Sequence, residues 1–183
     1  MELTNHLLIS PPHASVHAYD RSLIYIIQQD DLGAAGLIIN HPTHSRVSDI
    51  LSFMEIEHEI LEHDPIVLDG GPIDPERGFV LHTPVDYWQS TAKIADRVAL
   101  TTSQDILAAI AANEPPGNYI LTLGHCTWPG DRLEQEIRSN LWLTVPATRE
   151  ILFQTPYFER YQKALRLTGI HSTLSFCELM GNA

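Results

Sequence analysis

The densest group of chemically useful side chains lies between and beside two short apolar runs in the first half of the chain. Gly70-Gly71-Pro72 follows the first run, while Arg77 and His82 flank the second. Paired glycines allow positive φ angles and a close approach of another backbone or a ligand. Successive N–H groups in such a turn can bind an anion, to which Arg77 would add a bidentate charge. The alternative is a tight structural turn in which Arg77 pairs with Asp69 or Asp74.

A second group, His125-Cys126-Thr127-Trp128, is predicted to lie between the end of a strand and the start of a helix. A thiolate nucleophile favours such a position, because a helix dipole and an imidazolium both lower the pKa of a thiol. Adjacent residues of an extended segment point in opposite directions, however, so His125 is poorly placed to activate Cys126. The pattern favours a buried, unreactive Cys126 over a catalytic one. If both groups converge, the candidate binding pocket consists of Gly70, Gly71, Pro72, Arg77, His82, His125 and Trp128.

Motifs for metals, cofactors and familiar catalytic machinery are missing from the sequence. There is no Walker loop, no Gly-x-Gly-x-x-Gly fingerprint and no Gly-x-Ser-x-Gly segment. Five carboxylates between Glu55 and Asp64 are interleaved with His58 and His63, a mixture that a divalent cation could use. No Gly turn or Asp-x-Asp spacing shapes a calcium loop there, so a solvated acidic face is favoured. We predict no metal and no cofactor, and we assign no catalytic residue.

Apolar runs bounded by turn residues predict the strands that position these groups. Leu23–Ile27 and Ala35–Ile39 are uninterrupted runs joined by a polar segment, which is typical of a buried hairpin. Strands joined mostly by short loops favour an α+β domain with a largely antiparallel or mixed sheet over a doubly wound parallel one. Further predicted strands or extended segments are Leu7–Ile9, Ile66–Leu68, Phe79–Leu81, Tyr119–Leu123 and Trp142–Val145.

Periodicity and capping residues predict the helices. Apolar residues recur at helical spacing over Val47–Met54, which indicates a short amphipathic helix. Thr102 with Asp105, and Asp131 with Glu134, are predicted capping boxes at the starts of two later helices.

The last helix has the clearest start in the sequence. Thr155 is predicted as its N-cap, Pro156 as its first helical residue and Gly169 as the residue just past its end. Hydrophobic spacing predicts a buried side formed by Phe158, Tyr161 and Leu165, with Arg160, Lys163 and Arg166 in water.

Composition and charge bound the classes of partner. The chain has 183 residues, 44% of them hydrophobic, and is predicted to form one domain over residues 1–183. Its net charge is −12, and the acidity is uneven: residues 1–100 contain 15 acids and five bases, against eight and six in residues 101–183. This balance argues against DNA, RNA or anionic lipid as a general partner, since those surfaces attract clustered Lys and Arg.

Targeting features point to the cytoplasm. No apolar run approaches the roughly 20 residues of a membrane span, so no membrane partner is predicted. The N-terminus lacks the basic residues of a signal peptide. Two cysteines, Cys126 and Cys177, are too few for a disulfide scaffold, which favours a reducing compartment.

A series of segments with a characteristic order and spacing runs through nearly the whole chain. They are Asn5–Ile9 with Pro11, Arg21–Ile26, Gly33–Pro42, Gly70–Pro72, Arg77–Thr83, Thr101–Asp105, Leu133–Ile137 with Asn140, Trp142 and Leu143, and Thr155-Pro156. Taken together, these segments resemble the YqgE/AlgH family of bacterial proteins.

The resemblance implies a fold but no biochemical activity. It implies an α+β fold in which a bifurcated mixed, largely antiparallel sheet curls into a pseudo-barrel with flanking helices. Most members are uncharacterised, and some are labelled transcriptional regulators from a link to alginate production. The family commonly has Tyr-Ala-Gly-Trp where this chain has His125-Cys126-Thr127-Trp128. Cys126 is therefore a poor candidate for a family-wide catalyst.

Three hypotheses for function follow. The leading one is a cytoplasmic, non-catalytic protein that acts through protein or small-ligand binding and could take part in regulation, with its partner and oligomeric state unassigned. The second is an enzyme acting on a small anionic substrate at a pocket of Gly70, Gly71, Arg77, His82 and His125. The third is a DNA-binding regulator that uses Arg160, Lys163 and Arg166, which the net charge disfavours.

Overall fold

The computed structural model describes residues 2–11, 19–83 and 88–169. These ranges contain ten strands, four α-helices and one π-helical turn, Glu150–Gln154. The strands are β1 (His6–Ile9), β2 (Leu23–Asp30), β3 (Gly33–Ile38), β4 (Pro42–Arg46), β5 (Ile66–Asp69), β6 (Ile73–Thr83), β7 (Thr91–Ala95), β8 (Val98–Thr101), β9 (Asn118–Pro129) and β10 (Leu143–Pro146). The helices are α1 (Val47–Phe53), α2 (Asp105–Ala111), α3 (Arg132–Arg138) and α4 (Tyr157–Leu167).

The strands form one curled, forked sheet. Its main path runs β10-β1-β2-β3-β9-β6-β8-β7, and β4 and β5 form a side branch that joins at β9. Among the described strand pairs, β5 with β9 is parallel and the others are antiparallel. The α+β class and the bifurcated mixed sheet are therefore confirmed.

The fork lies in the middle of β9. One edge of this strand pairs first with β5, where Leu68 is opposite Thr122, and then with β3, where Gly36 is opposite Cys126. Between them Gly124 has a φ of +76°, a conformation that glycine adopts without steric cost. The change of partner and the change of backbone direction coincide at this residue.

Three hydrophobic clusters cover the two faces of the sheet. On one face, Leu7, Tyr25 and Leu81 pack with residues of α4 and the π-helical turn. On the other face, α1 and α2 cover β5, β6 and the first half of β9. Farther along that face, α3 covers β1, β2, β3 and the second half of β9. Each helix is thus held by one apolar side, as expected for short helices that are marginal alone.

The strand predictions are confirmed in place, but two strands are substantially longer than predicted: β6 extends from Ile73 to Thr83 around the predicted Phe79–Leu81, and β9 extends past Leu123. Tyr119–Leu123 was predicted to end before Gly124, but β9 continues to Pro129. The prediction was wrong because β3 supplies hydrogen-bonding partners beyond the fork, so the glycine kinks the strand instead of ending it. The segment His125–Trp128 is consequently strand, not a loop before a helix.

The helix starts differ from the predicted caps. Gln104, not Thr102, is the N-cap of α2, and no side chain caps that helix. Asp131 is the N-cap of α3 as predicted, but it makes no capping hydrogen bond. Pro156 is the N-cap of α4, because the preceding Thr155 hydroxyl donates instead to the Glu150 carbonyl at 2.8 Å.

The buried side of α4 is also rotated from its predicted position. Tyr161 and Leu165 are buried as predicted, whereas Phe158 is 66% exposed. Arg160 is only 8% exposed, although it was predicted to remain in water. Its side chain is held by backbone carbonyls, a type of contact that a hydrophobic pattern cannot indicate. In the described ranges, no helix has both the length and the apolar character that a membrane crossing requires.

Candidate functional site

Gly70 and Gly71 lie at the fork of the sheet and allow its branches to meet. Gly70 donates its N–H to the Leu123 carbonyl at 2.7 Å and accepts from the Ile38 N–H at 2.9 Å, so it bridges β9 and β3. A Cβ atom on Gly70 would lie 2.2 Å from the Gly124 carbonyl oxygen, which is well inside van der Waals contact. The pair of glycines therefore has a structural reason in this fold, the close approach of two backbones.

Arg77 and His125 are brought together beside the fork through Phe79. The Arg77 guanidinium lies 5.1 Å from the centre of the Phe79 ring, and the His125 ring lies 5.1 Å from the same ring. The described ion pairs do not join Arg77 to Asp69 or Asp74. Asp69 instead accepts from the Gly71 N–H at 3.1 Å, which closes the turn locally.

Two buried polar atoms near the fork have no hydrogen-bond partner among the described residues. They are Nδ1 of His125 and Oγ1 of Thr122, which flank Gly124 on β9. A Cβ on Gly70 would come within 2.7 Å of that hydroxyl, so no side chain has room there. The fork thus combines Gly70, Gly71 and His125 with Arg77 at its edge.

His82 and Trp128 are not part of this arrangement. His82 is fully buried, its Nε2 lies 2.9 Å from the Thr101 hydroxyl, and its ring packs edge-on against Trp88 at 5.0 Å. Trp128 belongs to the cluster beneath α3, where its indole N–H donates to Glu136 at 2.9 Å. Pro72 is exposed next to Gly71. The seven predicted pocket residues therefore occupy three separate environments, and His82 does not lie with His125 as the enzyme hypothesis requires.

Cys126 is fully buried, as predicted. Its Sγ lies 3.7 Å from the Gly70 carbonyl oxygen. Burial raises the pKa of the Cys126 thiol to about 12, so the group is protonated at neutral pH. A buried thiol in this state is not an activated nucleophile.

An open groove of about 540 Å³ lies between α1, α2 and β6, and the sequence did not indicate it. Its walls are mainly aliphatic and include Ile50 on α1, Met54 just after α1 and Leu107 on α2. Phe53, at the end of α1, is 87% exposed at its lip. The available signal was the apolar stripe of α1, of which Val47 and Leu51 are buried while Ile50 lines the groove. The described lining residues are Ile50, Phe53, Met54, Pro75, Glu76, Gly78, Val80, Thr101, Thr102, Ser103, Gln104, Leu107, Leu121 and Leu123.

Among the described lining residues of this groove, the one charged side chain is acidic. Glu76 lines it, Asp74 is exposed two residues earlier, and Glu55 is exposed immediately after Met54. Of the described lining residues, none is a lysine or arginine. The acidic run that follows α1 contains no group of three His, Cys, Asp or Glu placed to hold a metal ion, nor does any other described part of the chain. The groove is thus mainly apolar, with Glu55, Asp74 and Glu76 at or next to its rim and Arg77 as an exposed base beside Glu76.

Known proteins with similar sequences cover nearly the whole chain. A family model described as AlgH-like matches residues 7–173. A UPF0301 protein of Shewanella woodyi is 43% identical over 173 residues, which span 91% of each chain. A UPF0301 protein of Nitrosospira multiformis is 42% identical over 172 residues, spanning 93% of this chain and 92% of that one.

Solved structures agree with these relationships. The solution structure of the AlgH protein from Pseudomonas aeruginosa is 34% identical, with a TM-score of 0.79 over 94% of this chain and 92% of that one. A crystal structure of a Corynebacterium diphtheriae protein is 15% identical with a TM-score of 0.70, over 91% and 87% of the two chains, and shares the fold. From the family model and the relatives above 40% identity, this chain belongs to the AlgH-like (YqgE/AlgH) family.

Proposed function

We propose that this protein is a non-catalytic, cytoplasmic binding protein whose α1–α2 groove accepts a basic, apolar-anchored segment of a partner protein. One observation carries the proposal: an apolar groove of about 540 Å³ whose described lining contains an acid but no base. Any regulatory role would act through that protein partner.

The apolar part of the groove supplies the anchor site. Exposed apolar patches rimmed by polar residues are typical of interaction surfaces. Phe53 at the lip and Ile50 on the wall lie on the same helix, one turn apart. A short helix or extended peptide could place two apolar side chains between α1 and α2 while its other face stays in water.

The charge around the groove selects the partner. Glu55, Asp74 and Glu76 are exposed at or next to the rim, in the half of the chain that carries most of the acidity. Complementary charge accelerates encounter and rejects acidic competitors. A segment with Lys or Arg flanking its apolar anchors therefore fits best.

Catalysis and DNA binding are not favoured. His82 and Cys126 are fully buried in separate surroundings, so neither is available to a substrate at the fork. Burial of Arg160 removes one of the three cations predicted to meet phosphate, and Lys163 pairs with Glu150 at 2.6 Å. The remaining basic surface of α4 is too small for the phosphate contacts that duplex binding uses.

Calorimetric titration with synthetic peptides tests the proposal. The probe has leucines one helical turn apart and lysines on the opposite face, and two matched peptides replace either the lysines by glutamates or the leucines by serines. We expect saturable binding of the first peptide alone. Phe53→Ala should weaken it about tenfold, because an anchor contact is worth about 1.4 kcal/mol.

The control is Leu32→Ala, which removes a similarly exposed apolar side chain (85%) from the β2–β3 turn, outside the groove. This variant should bind the peptide as the unmodified protein does. Equal binding of the lysine and glutamate peptides, or equal losses in the Phe53 and Leu32 variants, would contradict the proposal.

A further inference from the structure

A second cavity, of about 390 Å³, lies between β5, β9, the π-helical turn and the start of α4. Its character is opposite to that of the α1–α2 groove. Two arginines and one histidine line it, and among its described lining residues there is no aspartate or glutamate. In a chain with a net charge of −12, a basic cavity without carboxylates is a local reversal of the overall charge. These residues are Arg46, His63, Pro65, Ile66, Leu68, Tyr119, Ile120, Phe153, Gln154, Thr155, Pro156, Tyr157 and Arg160.

Arg160 is the buried cation of this cavity. Its Nε donates to the Thr155 carbonyl at 3.0 Å and its Nη1 to the Ile39 carbonyl at 2.6 Å. Within the described ranges it forms no ion pair, so two dipoles but no negative charge compensate it. Burial lowers the pKa of the guanidinium to about 10, and the group is still a cation at neutral pH.

A buried cation without a counter-ion is costly, and proteins usually pair it. The two carbonyls use only part of the five N–H donors of a guanidinium. They also fix its plane, because they hold two different nitrogens. A fixed guanidinium plane suits the bidentate recognition of a carboxylate or phosphate.

The start of α4 adds partial positive charge on the same side. Thr155, Pro156 and Tyr157 line the cavity, and α4 has no side-chain N-cap. The uncapped N–H groups and the helix dipole both favour an anion at this end. Arg160 lies one turn into the same helix. The helix N-terminus and the guanidinium therefore both contribute positive charge to this cavity.

The nearby carboxylates are engaged elsewhere. Asp64 accepts from the Ser48 N–H at 2.9 Å and the Ser48 hydroxyl at 2.8 Å. Glu150 pairs with Lys163, and Glu159 is exposed on α4. None of these three carboxylates is among the described lining residues of the cavity.

We infer that this cavity binds a small organic anion, with a carboxylate or phosphate against Arg160 and an apolar or aromatic body against the opposite wall. That wall is built from Ile66, Ile120 and Phe153, with the Tyr119 ring packed edge-on against His63 at 5.4 Å. The volume lies within the usual range for small-molecule sites. The site is separate from the α1–α2 groove and does not depend on the function proposed for it.

Titrations with simple anions test the inference on the full chain. The complete probes are phenyl phosphate and benzoate. Phosphate and acetate represent their anionic head groups, and benzyl alcohol represents the aromatic body without an anionic group. We expect one of the two complete probes to bind at least about tenfold more tightly than its separate parts, since head and body contacts combine. The better of the two identifies phosphate or carboxylate as the head group. Amide resonances of residues 154, 155 and 157–160 should shift in nuclear magnetic resonance spectra.

Matched arginine variants locate the binding. Arg160→Gln should weaken the better probe about tenfold or more. Arg166→Gln removes the same charge from an exposed position of the same helix, outside the cavity, and should leave the affinity unchanged. Arg46→Gln, at an exposed lining position, should weaken binding several-fold and provides a test if Arg160→Gln does not fold.

Two outcomes would overturn the inference. The first is no saturable binding of either complete probe below about 10 mM. The second is an equal loss of affinity in the Arg166 and Arg46 variants, which would mean diffuse attraction to surface charge. Phe53→Ala, in the other groove, should not change anion affinity, so failure of one proposal is distinguishable from failure of the other.

Discussion

Glu136 shows how one side chain fastens a short helix to the sheet. Its Oε2 accepts from the indole N–H of Trp128 and from that of Trp142, both at 2.9 Å. Its Oε1 accepts from Arg132 at 3.0 Å. Both indoles are nearly buried, and their rings meet edge-on at 6.1 Å. The seven-residue α3 is therefore held by a charge-assisted contact as well as by its apolar face.

We expect Glu136→Ala to lower the free energy of unfolding by about 2 to 4 kcal/mol. The reason is that two largely buried indole donors lose their acceptor together. Urea denaturation followed by tryptophan fluorescence measures the change. Glu134→Ala, which removes a carboxylate from the same helix and an ion pair with Arg138 at 3.7 Å, should cost about 1 kcal/mol or less. Similar losses in both variants would show that the indole contacts do not matter.

At the scale of elements, the strands were predictable and the fork was predictable only through family resemblance. Apolar runs such as Leu23–Ile27 and Tyr119–Leu123 identify buried strands, because hydrophobicity and burial coincide there. The first part of β6 was missed, since Asp74–Arg77 are exposed and form an irregularity between Ile73 and Gly78, the residues that pair with β9 on either side. The continuation of β9 was missed because Gly124 is typical of a strand end, and the pairing with β3 beyond it is a long-range contact that the local sequence does not indicate.

In the candidate sites, too, local features were predictable from the sequence and long-range contacts were not. The turn at Gly70 and Gly71 was located correctly, but its backbone contacts with β9 exist only in the folded sheet. Arg160 was placed on the wrong side of α4, because hydrophobic periodicity assigns arginine to water whatever carbonyls lie nearby. Residues that line one cavity from distant parts of the chain, such as Arg46 and Arg160, carry no local signal of this shared position.

Close packing at the fork predicts that a side chain at Gly70 destabilises the protein. Gly70→Ala should lower the free energy of unfolding by about 3 kcal/mol, because a Cβ would lie 2.2 Å from the Gly124 carbonyl oxygen and force β5 and β9 apart. Thermal and urea unfolding both report this change. In Gly117→Ala, the new methyl group meets no atom within 4 Å, and the expected change is within about 0.5 kcal/mol. Equal stability of the two variants would contradict close packing at the fork.

Over the whole molecule, two ligand-sized spaces with opposite charge preference share β9 as a wall. Leu121 and Leu123 line the acidic-rimmed groove, whereas Tyr119 and Ile120 line the basic cavity. The negative net charge alone is consistent with the groove but does not indicate the basic cavity. A protein with a formal charge of −12 can thus contain an anion-binding site, provided that the site has a buried arginine and no lining carboxylate.

Salt dependence should separate the two parts of the groove contact. Raising NaCl from about 0.05 M to about 0.5 M should weaken the basic peptide about tenfold, because attraction between exposed charges is screened. The loss caused by Phe53→Ala should be the same factor at both concentrations, since an apolar contact is not screened. Calorimetry of both proteins at both salt concentrations measures these ratios. An affinity independent of salt would show that the acidic rim does not contribute.

The central position of β9 also determines when the sheet can be completed during synthesis of the chain. Its partners β3, β5 and β6 all precede it, yet each needs β9 to cover an open edge. While the first 117 residues leave the ribosome, these edges have no permanent neighbour. Unpaired strand edges attract other chains. Arrival of a single twelve-residue segment then closes three of them at once, so the nascent protein is exposed to misassociation until that late moment.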